Sequence, residues 1–338
     1  MISTIRFRES VPILPVPTIG KDFHIGLQNL IPEDGVKKFR TDFQLFEFDQ
    51  IRLYIRGTNT VLFRGKYKEE EVVIKMLRPQ EAHYETACKE LEMERCILSL
   101  ADHPNIVRYF GSGTHPHPFI VMEYLEDGTL GEILRAGPTQ TNSSTAHDKG
   151  MRDFHPSSSS PQFVDVLNIS RDLASALSYL HFACIPGASI IHRDLKPDNI
   201  GFSHGKVKLF DFGLSICVRQ RVSSEEAYEM SGATGSLRYM APEVALSLAY
   251  SEKADVYSFS IILWQVASGC VPFDSISRAT FMERVVCGGL RPTLLAHWPT
   301  YFSDLLQSCW HPVPEARPSF ESILCMLGNA TKYASSSF

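Results

Sequence analysis

The sequence lacks three features that would point to particular classes of protein. Its eight cysteines include no C-x-x-C pair, so neither a zinc site nor a disulfide framework is indicated, and a reducing compartment is favoured. No apolar run is long enough to span a bilayer. The formal net charge is −5, so no basic surface for nucleic acid or an anionic membrane is visible. We therefore expect a cytoplasmic or nuclear protein without a nucleic-acid partner or a membrane span.

The composition is close to that of an ordinary globular protein, with 338 residues, of which 44% are hydrophobic and 21% are charged. That length allows a large core divided between two lobes or domains. Residues 1–44 carry no motif. They are either an extension that docks on the rest of the chain or on a partner, or a poorly ordered leader, and both interpretations stay open.

Two further segments are predicted to lie outside the core. Residues 137–162 are rich in Ser, Thr, Gly and Pro, which predicts a disordered insertion. Ser160, which precedes a proline, is a candidate regulatory phosphosite there, although a tolerated surface loop is the favoured interpretation. Residues 331–338 are predicted to form a C-terminal tail.

Three oxygen-bearing side chains are predicted to meet near the middle of the chain. Asp194 and Asn199 have a proline between them, so a loop rather than a helix should hold them. A short apolar strand over 207–210 then carries Asp211 back to the same place. Oxygen ligands suit magnesium. Phosphoryl transfer needs metal ions, a positioned hydroxyl and a group that accepts its proton.

The runs His192–Asn199 and Asp211–Gly213 resemble the catalytic loop and the metal-binding turn of the eukaryotic protein kinases. The resemblance implies an α+β, two-lobed protein kinase fold. Residues 45–124 would form the N-terminal lobe, a small antiparallel β-sheet with one helix. Residues 125–330 would form a larger, mainly helical C-terminal lobe.

The resemblance also implies roles for the residues of these two runs, with ATP and Mg²⁺ as cofactors. Asp194 would be the catalytic base, and Lys196 would contact the transferring phosphate. Asn199 and Asp211 would hold the two Mg²⁺ ions. His192 would pack against the phenylalanine of the metal-binding turn rather than bind a metal.

The N-terminal lobe shows its own pattern. Alternating apolar residues predict three antiparallel strands with turns near 57–59 and 68–70, and a helical pattern follows over 82–100. The third strand ends at Lys75, which resembles the kinase lysine that holds the α- and β-phosphates. The resemblance implies that this lysine pairs with Glu94 of the helix.

An adenine pocket is implied as well. An apolar strand runs into the hinge whose backbone bonds adenine, and it contributes Met122, as gatekeeper, with Glu123 and Leu125. Val73 stands where the family usually has alanine above the ring, and Gly201 where a leucine usually packs below it. We hypothesise that the nucleotide sits lower, so that Val73→Ala and Gly201→Leu together cost less affinity than either change alone.

The loop that covers the phosphates departs from the family pattern G-x-G-x-x-G-x-V. The three glycine positions fall on Ile55, Gly57 and Thr60, and the valine position on Leu62. Only the middle glycine is present, and the β-branched Thr60 is expected to stiffen the loop and hold its amides off the phosphates. The alternative function is therefore a pseudokinase or scaffold with weak or no turnover. An active enzyme is favoured because the residues expected to take part in catalysis are all present: Lys75, Glu94, Asp194, Asn199 and Asp211.

A polar segment over 215–236 resembles an activation loop and ends at Met240–Glu243, a motif that disfavours a small-molecule kinase. Phosphorylation in the segment would order it through Arg193. Ser236 is expected to hydrogen-bond the catalytic aspartate and lysine, which favours serine/threonine specificity. The candidate phosphosites, among which the sequence does not decide, are Ser223, Ser224, Tyr228, Ser231 and Thr234.

Other residues are expected to support the site, with Asp255 capping the catalytic loop and Arg317 pairing with Glu243. The motifs look closest to the tyrosine-kinase-like group, which mostly phosphorylates serine and threonine. The predicted function is transfer of the ATP γ-phosphate to serine or threonine hydroxyls, regulated by activation-loop phosphorylation. Protein substrates and upstream regulators are the expected partners. Their identities and the oligomeric state stay open.

Overall fold

The computed structural model describes residues 18–19, 48–56, 59–78, 83–115, 117–136, 163–221, 223 and 226–335. Several features singled out in the sequence lie outside these ranges: the leader apart from residues 18–19, Gly57, the insertion 137–162, Ser224, and the last three residues of the tail.

The N-terminal lobe is built on a five-stranded antiparallel sheet in the order β2-β3-β4-β6-β5. Its strands are β2 (Phe48–Arg56), β3 (Thr60–Tyr67), β4 (Glu70–Leu77), β5 (Tyr109–Gly113) and β6 (Phe119–Glu123). The three predicted strands are confirmed as the first three of this sheet. Lys68 and Glu69 form the tight second turn, where both adopt positive φ, 49° and 66°.

In the described part of the N-terminal lobe one helix, α1 (Tyr84–Leu100), packs on this sheet. It buries Ala87, Leu91 and Leu98, which are spaced by four and seven residues and so lie on one apolar face. The predicted helix over 82–100 is confirmed except for its start, because Ala82 lies outside the described residues.

The C-terminal lobe is mainly helical, so the two-lobed α+β prediction is confirmed. Its helices are α2 (Leu130–Ala136), α3 (Phe163–Phe182), α4 (Pro242–Ala245), α5 (Lys253–Ser268), α6 (Arg278–Phe281), α7 (Thr300–Cys309) and α8 (Phe320–Ser335). A π-helical turn, Met282–Cys287, continues α6. No helix in the described part of the chain is long and apolar enough to cross a membrane.

Helices α3 and α5 form the centre of this lobe. The apolar positions of α3 that recur at helical spacing are all buried: Val166, Ile169, Leu173, Leu177 and Leu180. Helix α5 is buried along nearly its whole length and ends at Gly269, whose φ of 67° places it in the left-handed region. That conformation suits glycine and stops the helix.

Two small antiparallel sheets hold the loops that carry the candidate site. Strand β7 (Ala188–Ile191) pairs with β10 (Ile216–Arg219), and β8 (Ile200–Ser203) pairs with β9 (Lys206–Leu209). The segment 192–199 leaves β7 and enters β8, and the segment 210–215 leaves β9 and enters β10. Both functional segments are therefore anchored by strands at each end.

The described part of the leader contacts the activation segment. Thr18–Ile19 forms a short strand, β1, that pairs in parallel with β11 (Ala227–Tyr228). On its other side Tyr228 bridges Tyr250. These two leader residues thus lie against the segment that follows the metal-binding turn, while the division of the chain into leader, lobes and tail stays a prediction.

A buried ion pair closes the C-terminal lobe. Arg317 Nη1 and Nη2 lie 2.6 Å and 2.9 Å from the two carboxylate oxygens of Glu243, as expected from the sequence. The Arg317 side chain is 0% exposed. Removing one partner of such a pair leaves an uncompensated buried charge, which costs about 3–5 kcal/mol. The pair therefore fastens the end of the activation segment to the loop before α8.

Tyr257 of α5 offers a test of the core, because its buried hydroxyl has no hydrogen-bond partner among the described residues. Tyr257→Phe should raise the free energy of unfolding by about 1 kcal/mol, since it removes a buried polar group whose desolvation no hydrogen bond offsets. Tyr250→Phe is the matched control. Its hydroxyl donates to Ser231 O at 3.0 Å and accepts from Arg193, so we expect a loss of about 1–2 kcal/mol. Equal losses in urea denaturation would contradict the prediction.

Candidate active site

Lys75, on the inner face of β4, joins three parts of the chain. Its Nζ lies 2.6 Å from Glu94 Oε2 on α1 and 3.0 Å from Asp211 Oδ1 in the turn after β9. The expected pairing of Lys75 with Glu94 is confirmed. Glu94 is 1% exposed and also accepts a hydrogen bond from the Phe212 amide. The strand, the helix and the metal-binding turn are thus connected through one ammonium group.

These contacts set the charge states of the three groups. Burial raises the pKa of Glu94, although the Lys75 charge opposes this. Burial would lower the pKa of Lys75, but the two carboxylates outweigh it and hold that pKa above its ordinary value. Lys75 in turn lowers the pKa of Asp211. Lys75 is therefore an ammonium and Asp211 a carboxylate at neutral pH, as contacts with phosphate and a cation require.

Asp194 lies in the loop after β7 with both carboxylate oxygens hydrogen-bonded. Its Oδ1 accepts from the amide and the hydroxyl of Ser236, each at 2.9 Å. Its Oδ2 accepts from Lys196 Nζ at 2.6 Å and from Asn199 Nδ2 at 3.3 Å. The expected contact between Ser236 and Asp194 is confirmed. The carboxylate is oriented by four donors from the catalytic loop and the end of the activation segment.

The backbone of this loop is capped by Asp255 from α5, as expected. Its carboxylate accepts from the amides of His192 and Arg193 at 2.8 Å and 3.0 Å, and from His181 Nε2 at 2.9 Å. Burial would raise the pKa of Asp255, but these hydrogen bonds hold it below its ordinary value. Arg193 has a φ of 67°. This strained conformation is maintained in part by the two hydrogen bonds from the main-chain amides to Asp255. Asp194 follows directly.

His192 packs beside the metal-binding turn. Its ring centroid lies 5.2 Å from that of Phe212, whose side chain is fully buried. Burial lowers the pKa of His192, so the ring is neutral near neutral pH. This packing agrees with the expectation that His192 packs against the phenylalanine of the metal-binding turn.

The residues expected to form the adenine pocket lie on β4 and in the hinge that follows β6. Val72, Ile74 and Met76 are buried on one face of β4, so Val73 and Lys75 lie on the other face, because side chains alternate along a strand. Val73 pairs across the sheet with Met122, the expected gatekeeper, which is 7% exposed.

Two of the three main-chain amides at hinge residues 123–125 donate hydrogen bonds to described residues. The Glu123 amide donates to Arg108 O at 2.9 Å and the Tyr124 amide to Glu71 O at 3.2 Å, whereas the Leu125 amide meets no acceptor among the described residues. The Glu123 carboxylate pairs with Lys208 at 3.0 Å. Any contact of Glu123 with a nucleotide would therefore use its backbone.

Our hypothesis of added volume above the ring and lost volume below it needs a correction. A Cβ atom at Gly201 would lie 2.3 Å from Leu125 Cδ1, so the space that a side chain at position 201 would enter is already occupied. The Leu125 side chain therefore occupies the volume beside Gly201. The idea that the nucleotide sits lower because volume is missing below it is wrong.

A cavity of about 160 Å³ lies beside the start of β3. Its lining includes Asn59 and Thr60 at the start of β3, together with Lys75, Asp194 and Asp211. The predicted glycine position Gly57 lies outside the described residues. Of the other two residues assigned to the nucleotide pocket, Ile55 is 45% exposed and Leu62 is half-buried.

Asn199 and Asp211 are the residues expected to bind Mg²⁺. Among the described residues no group of three or more His, Cys, Asp and Glu side chains is arranged to hold a metal ion. Asp211 and Asn199 offer one carboxylate and one amide oxygen beside Asp194. Mg²⁺ usually binds through one or two carboxylates and completes its shell with substrate phosphates and water. The pair therefore fits a Mg²⁺ ion that arrives with a nucleotide.

The candidate phosphosites of the activation segment differ in their contacts and exposure. Arg193 Nη1 lies 3.0 Å from Ser231 Oγ, whereas Thr234 Oγ1 donates to Ser231 O at 3.1 Å. Tyr228 is 0% exposed, and its hydroxyl donates to Arg219 O. Ser223 is exposed. In this arrangement Ser231 is the candidate that contacts the arginine.

Sequence reasoning missed Gly235. Its φ is 95°, and a Cβ atom there would lie 2.3 Å from Arg193 O and 3.2 Å from Asp194 Oδ1. Only glycine lets the activation segment approach the catalytic loop this closely. The one available signal was a glycine directly before Ser236.

Comparison with known proteins identifies the family. The family model described as "Protein tyrosine and serine/threonine kinase" matches residues 52–327. The chain belongs to this kinase family. The match starts within β2 and ends within α8, so it includes both lobes and every segment of the candidate site.

Several curated relatives are serine/threonine kinases by name. Serine/threonine-protein kinase STY17 of Arabidopsis thaliana is 31% identical over 88% of this chain and 46% of its own length. Mitogen-activated protein kinase kinase kinase 13-A of Xenopus laevis is 32% identical over 84% of this chain and 26% of its own length. Serine/threonine/tyrosine-protein kinase HT1 of Arabidopsis thaliana is 30% identical over 81% of this chain and 64% of its own length. The kinase chain thus spans from about a quarter to less than two thirds of these relatives.

Gly235→Ala should lower the rate of phosphate transfer about 100-fold, because the added methyl group pushes the activation segment off the catalytic loop. Gly187→Ala is the matched control. Gly187 also has positive φ, 73°, but no atom lies within 4 Å of a Cβ there, so it carries the strain without the clash. Transfer rates and melting temperatures of both variants separate the two effects. Equal losses of activity would rule out the clash as the cause.

Proposed function

We propose that this kinase transfers the γ-phosphate of ATP to serine or threonine hydroxyls of protein substrates. The observation that carries the proposal is the convergence at Asp194, whose carboxylate is hydrogen-bonded by Lys196, Asn199 and Ser236. An oriented carboxylate beside an ammonium group suits removal of a proton from a hydroxyl and neutralisation of charge on a phosphate.

The proposed reaction assigns a role to each of the predicted residues. The substrate hydroxyl oxygen forms a bond to the γ-phosphorus, and the bond from that phosphorus to the β-phosphate oxygen breaks. Asp194 takes the hydroxyl proton, ADP leaves, and Lys196 contacts the moving phosphoryl group. Lys75, held by Glu94 at 2.6 Å, orients the α- and β-phosphates.

Metal ions are part of this proposal. Asn199 and Asp211 would hold Mg²⁺, which when bound offsets the negative charge of the phosphates. Lys75 also contacts Asp211, at 3.0 Å, so one ammonium group faces both the phosphate-binding side and the metal-binding side of the cleft. The adenine base would contact Val73, Met122 and the hinge residues Glu123 and Leu125.

The alternative function is a pseudokinase, suggested by Ile55 and Thr60 at two glycine positions of the loop. Stiffening that loop affects the positions of the phosphates but removes no charge. Loss of a base or a metal ligand would raise the barrier far more. The joined contacts of Lys75, Glu94 and Asp211 are an arrangement that a scaffold without turnover does not need, so they support the enzyme.

Asp194→Asn tests the enzymatic function with little change of shape. Wild-type protein with Mg²⁺ and labelled ATP should phosphorylate a generic basic protein or itself. The variant should be slower by about 10²–10⁴-fold, the usual contribution of a general base. Both proteins should gain melting temperature on addition of Mg·ATP. Absence of transfer by wild type, with that gain intact, would favour the pseudokinase. Equal transfer by both proteins would exclude Asp194 as the base.

We also propose that Ser231 is the regulatory phosphosite of the activation segment. The Arg193 guanidinium already contacts the Ser231 hydroxyl, and the Tyr250 hydroxyl lies 3.3 Å from the same Arg193 nitrogen. A phosphate on Ser231 would form charge-assisted hydrogen bonds with Arg193, which are about twice as strong as neutral ones. The phosphate would thereby hold the segment against the catalytic loop.

Phosphorylated wild type should transfer phosphate about tenfold faster than its dephosphorylated form, since one charge-assisted hydrogen bond is worth about 1.5–3 kcal/mol. Ser231→Ala should abolish this difference, and Ser223→Ala, at an exposed position of the same segment, should keep it. Phosphosite mapping and transfer rates before and after phosphatase treatment make the comparison. A Ser231→Ala protein that still responds to phosphatase would refute the assignment.

A further inference from the structure

Gly201 lies where β8 passes under the cleft. Its neighbours Ile200 and Phe202 are 0% and 5% exposed and belong to the hydrophobic core. Because side chains alternate along a strand, the Cβ direction at Gly201 points to the opposite face of β8. Leu125 of the hinge lies on that face, since it is the nearest side chain to a Cβ built at Gly201. The upper face of Gly201 is thus covered by the hinge.

The fit between Gly201 and Leu125 leaves no room for two side chains. A Cβ at position 201 would lie 2.3 Å from Leu125 Cδ1, closer than any real Cβ contact, and 3.4 Å from Phe210 Cε1. The leucine is half-buried and packs against the main core. A side chain at position 201 would therefore force the end of the Leu125 side chain to move, so residues 201 and 125 compete for this volume.

Main-chain hydrogen bonds hold Leu125 in this place. The Gly128 amide donates to Leu125 O at 3.2 Å, and the Phe202 amide donates to Gly128 O at 3.0 Å. The Asp127 amide donates to Phe202 O at 3.3 Å. The turn after the hinge is therefore fastened directly to β8, and Leu125 is fixed above Gly201 by its backbone as well as by packing.

We propose that Leu125 supplies the apolar floor of the base-binding site, in place of a side chain from β8. The same residue then contacts the base twice, through its unpaired amide and through its isobutyl group. This inference rests on the proposed binding of ATP. Substitutions at Leu125 and Gly201, and not at Val73 and Gly201, should therefore have coupled effects on nucleotide affinity. The apolar side chain below the base comes from the hinge instead of from β8.

The coupling predicts a reciprocal exchange. Leu125→Ala should weaken binding about tenfold, since an apolar floor of this size contributes about 1.4 kcal/mol when it covers a base. Gly201→Leu should also weaken binding, because the new side chain displaces Leu125 into the space of the base. The double variant Leu125→Ala with Gly201→Leu should recover affinity to within about threefold of wild type. Val73→Ala should not rescue Gly201→Leu.

The probes are adenosine and Mg·ATP, titrated by calorimetry against the full chain. Because the floor contacts only the base, each variant should change both dissociation constants by the same factor. Leu290→Ala is the matched leucine control. Leu290 is 36% exposed in the loop after the π-helical turn, and it should leave both constants unchanged. Melting temperatures without nucleotide report whether each variant folds.

The smaller change Gly201→Ala gives a second arm if Gly201→Leu fails to fold. Its single methyl group already meets Leu125 Cδ1, so it too should lose affinity and regain it with Leu125→Ala. Additive losses in the Leu125–Gly201 pair, or a rescue by Val73→Ala, would overturn the inference while leaving the proposed function intact. If wild type bound neither adenosine nor Mg·ATP, the proposed function would fall, and this inference with it.

Discussion

The double ion pair of Lys75 is the interaction on which the cleft depends. One ammonium group meets a carboxylate from α1 at 2.6 Å and a carboxylate from the turn after β9 at 3.0 Å. Glu94 is almost fully buried, so its charge is tolerable only because it is paired. Any displacement of the helix or of the turn breaks one of these contacts, which makes the positions of the two lobes mutually dependent.

A second buried carboxylate performs the corresponding task for the catalytic loop. Asp255 receives two consecutive main-chain amides and His181, and it thereby holds Arg193 in its left-handed conformation. Asp194 and the Ser231-contacting guanidinium both emerge from this short stretch. Asp194 and the contact between Arg193 and Ser231 therefore both depend on the hydrogen bonds to Asp255. Order in the activation segment and order in the catalytic loop are linked through these bonds.

Much of the site was predictable because its spacing is local or follows a strand. The pairing of Lys75 with Glu94, the contact of Ser236 with Asp194, the cap by Asp255 and the Arg317–Glu243 pair were all expected and are all present. Gly201 was interpreted incorrectly. The absence of a side chain suggested empty volume, but a residue 76 positions away in sequence, Leu125, fills it.

The sequence by itself determined the family, the two-lobed architecture and the identities of the charged groups, because these are carried by short motifs and by apolar periodicity. Only the tertiary structure decided which hydroxyl faces Arg193, that Gly235 must be a glycine, and that Leu125 covers Gly201. It also brought leader residues Thr18–Ile19 against the activation segment. Each of these depends on close packing between segments distant along the chain, where volume and backbone conformation, rather than residue type, determine the contact.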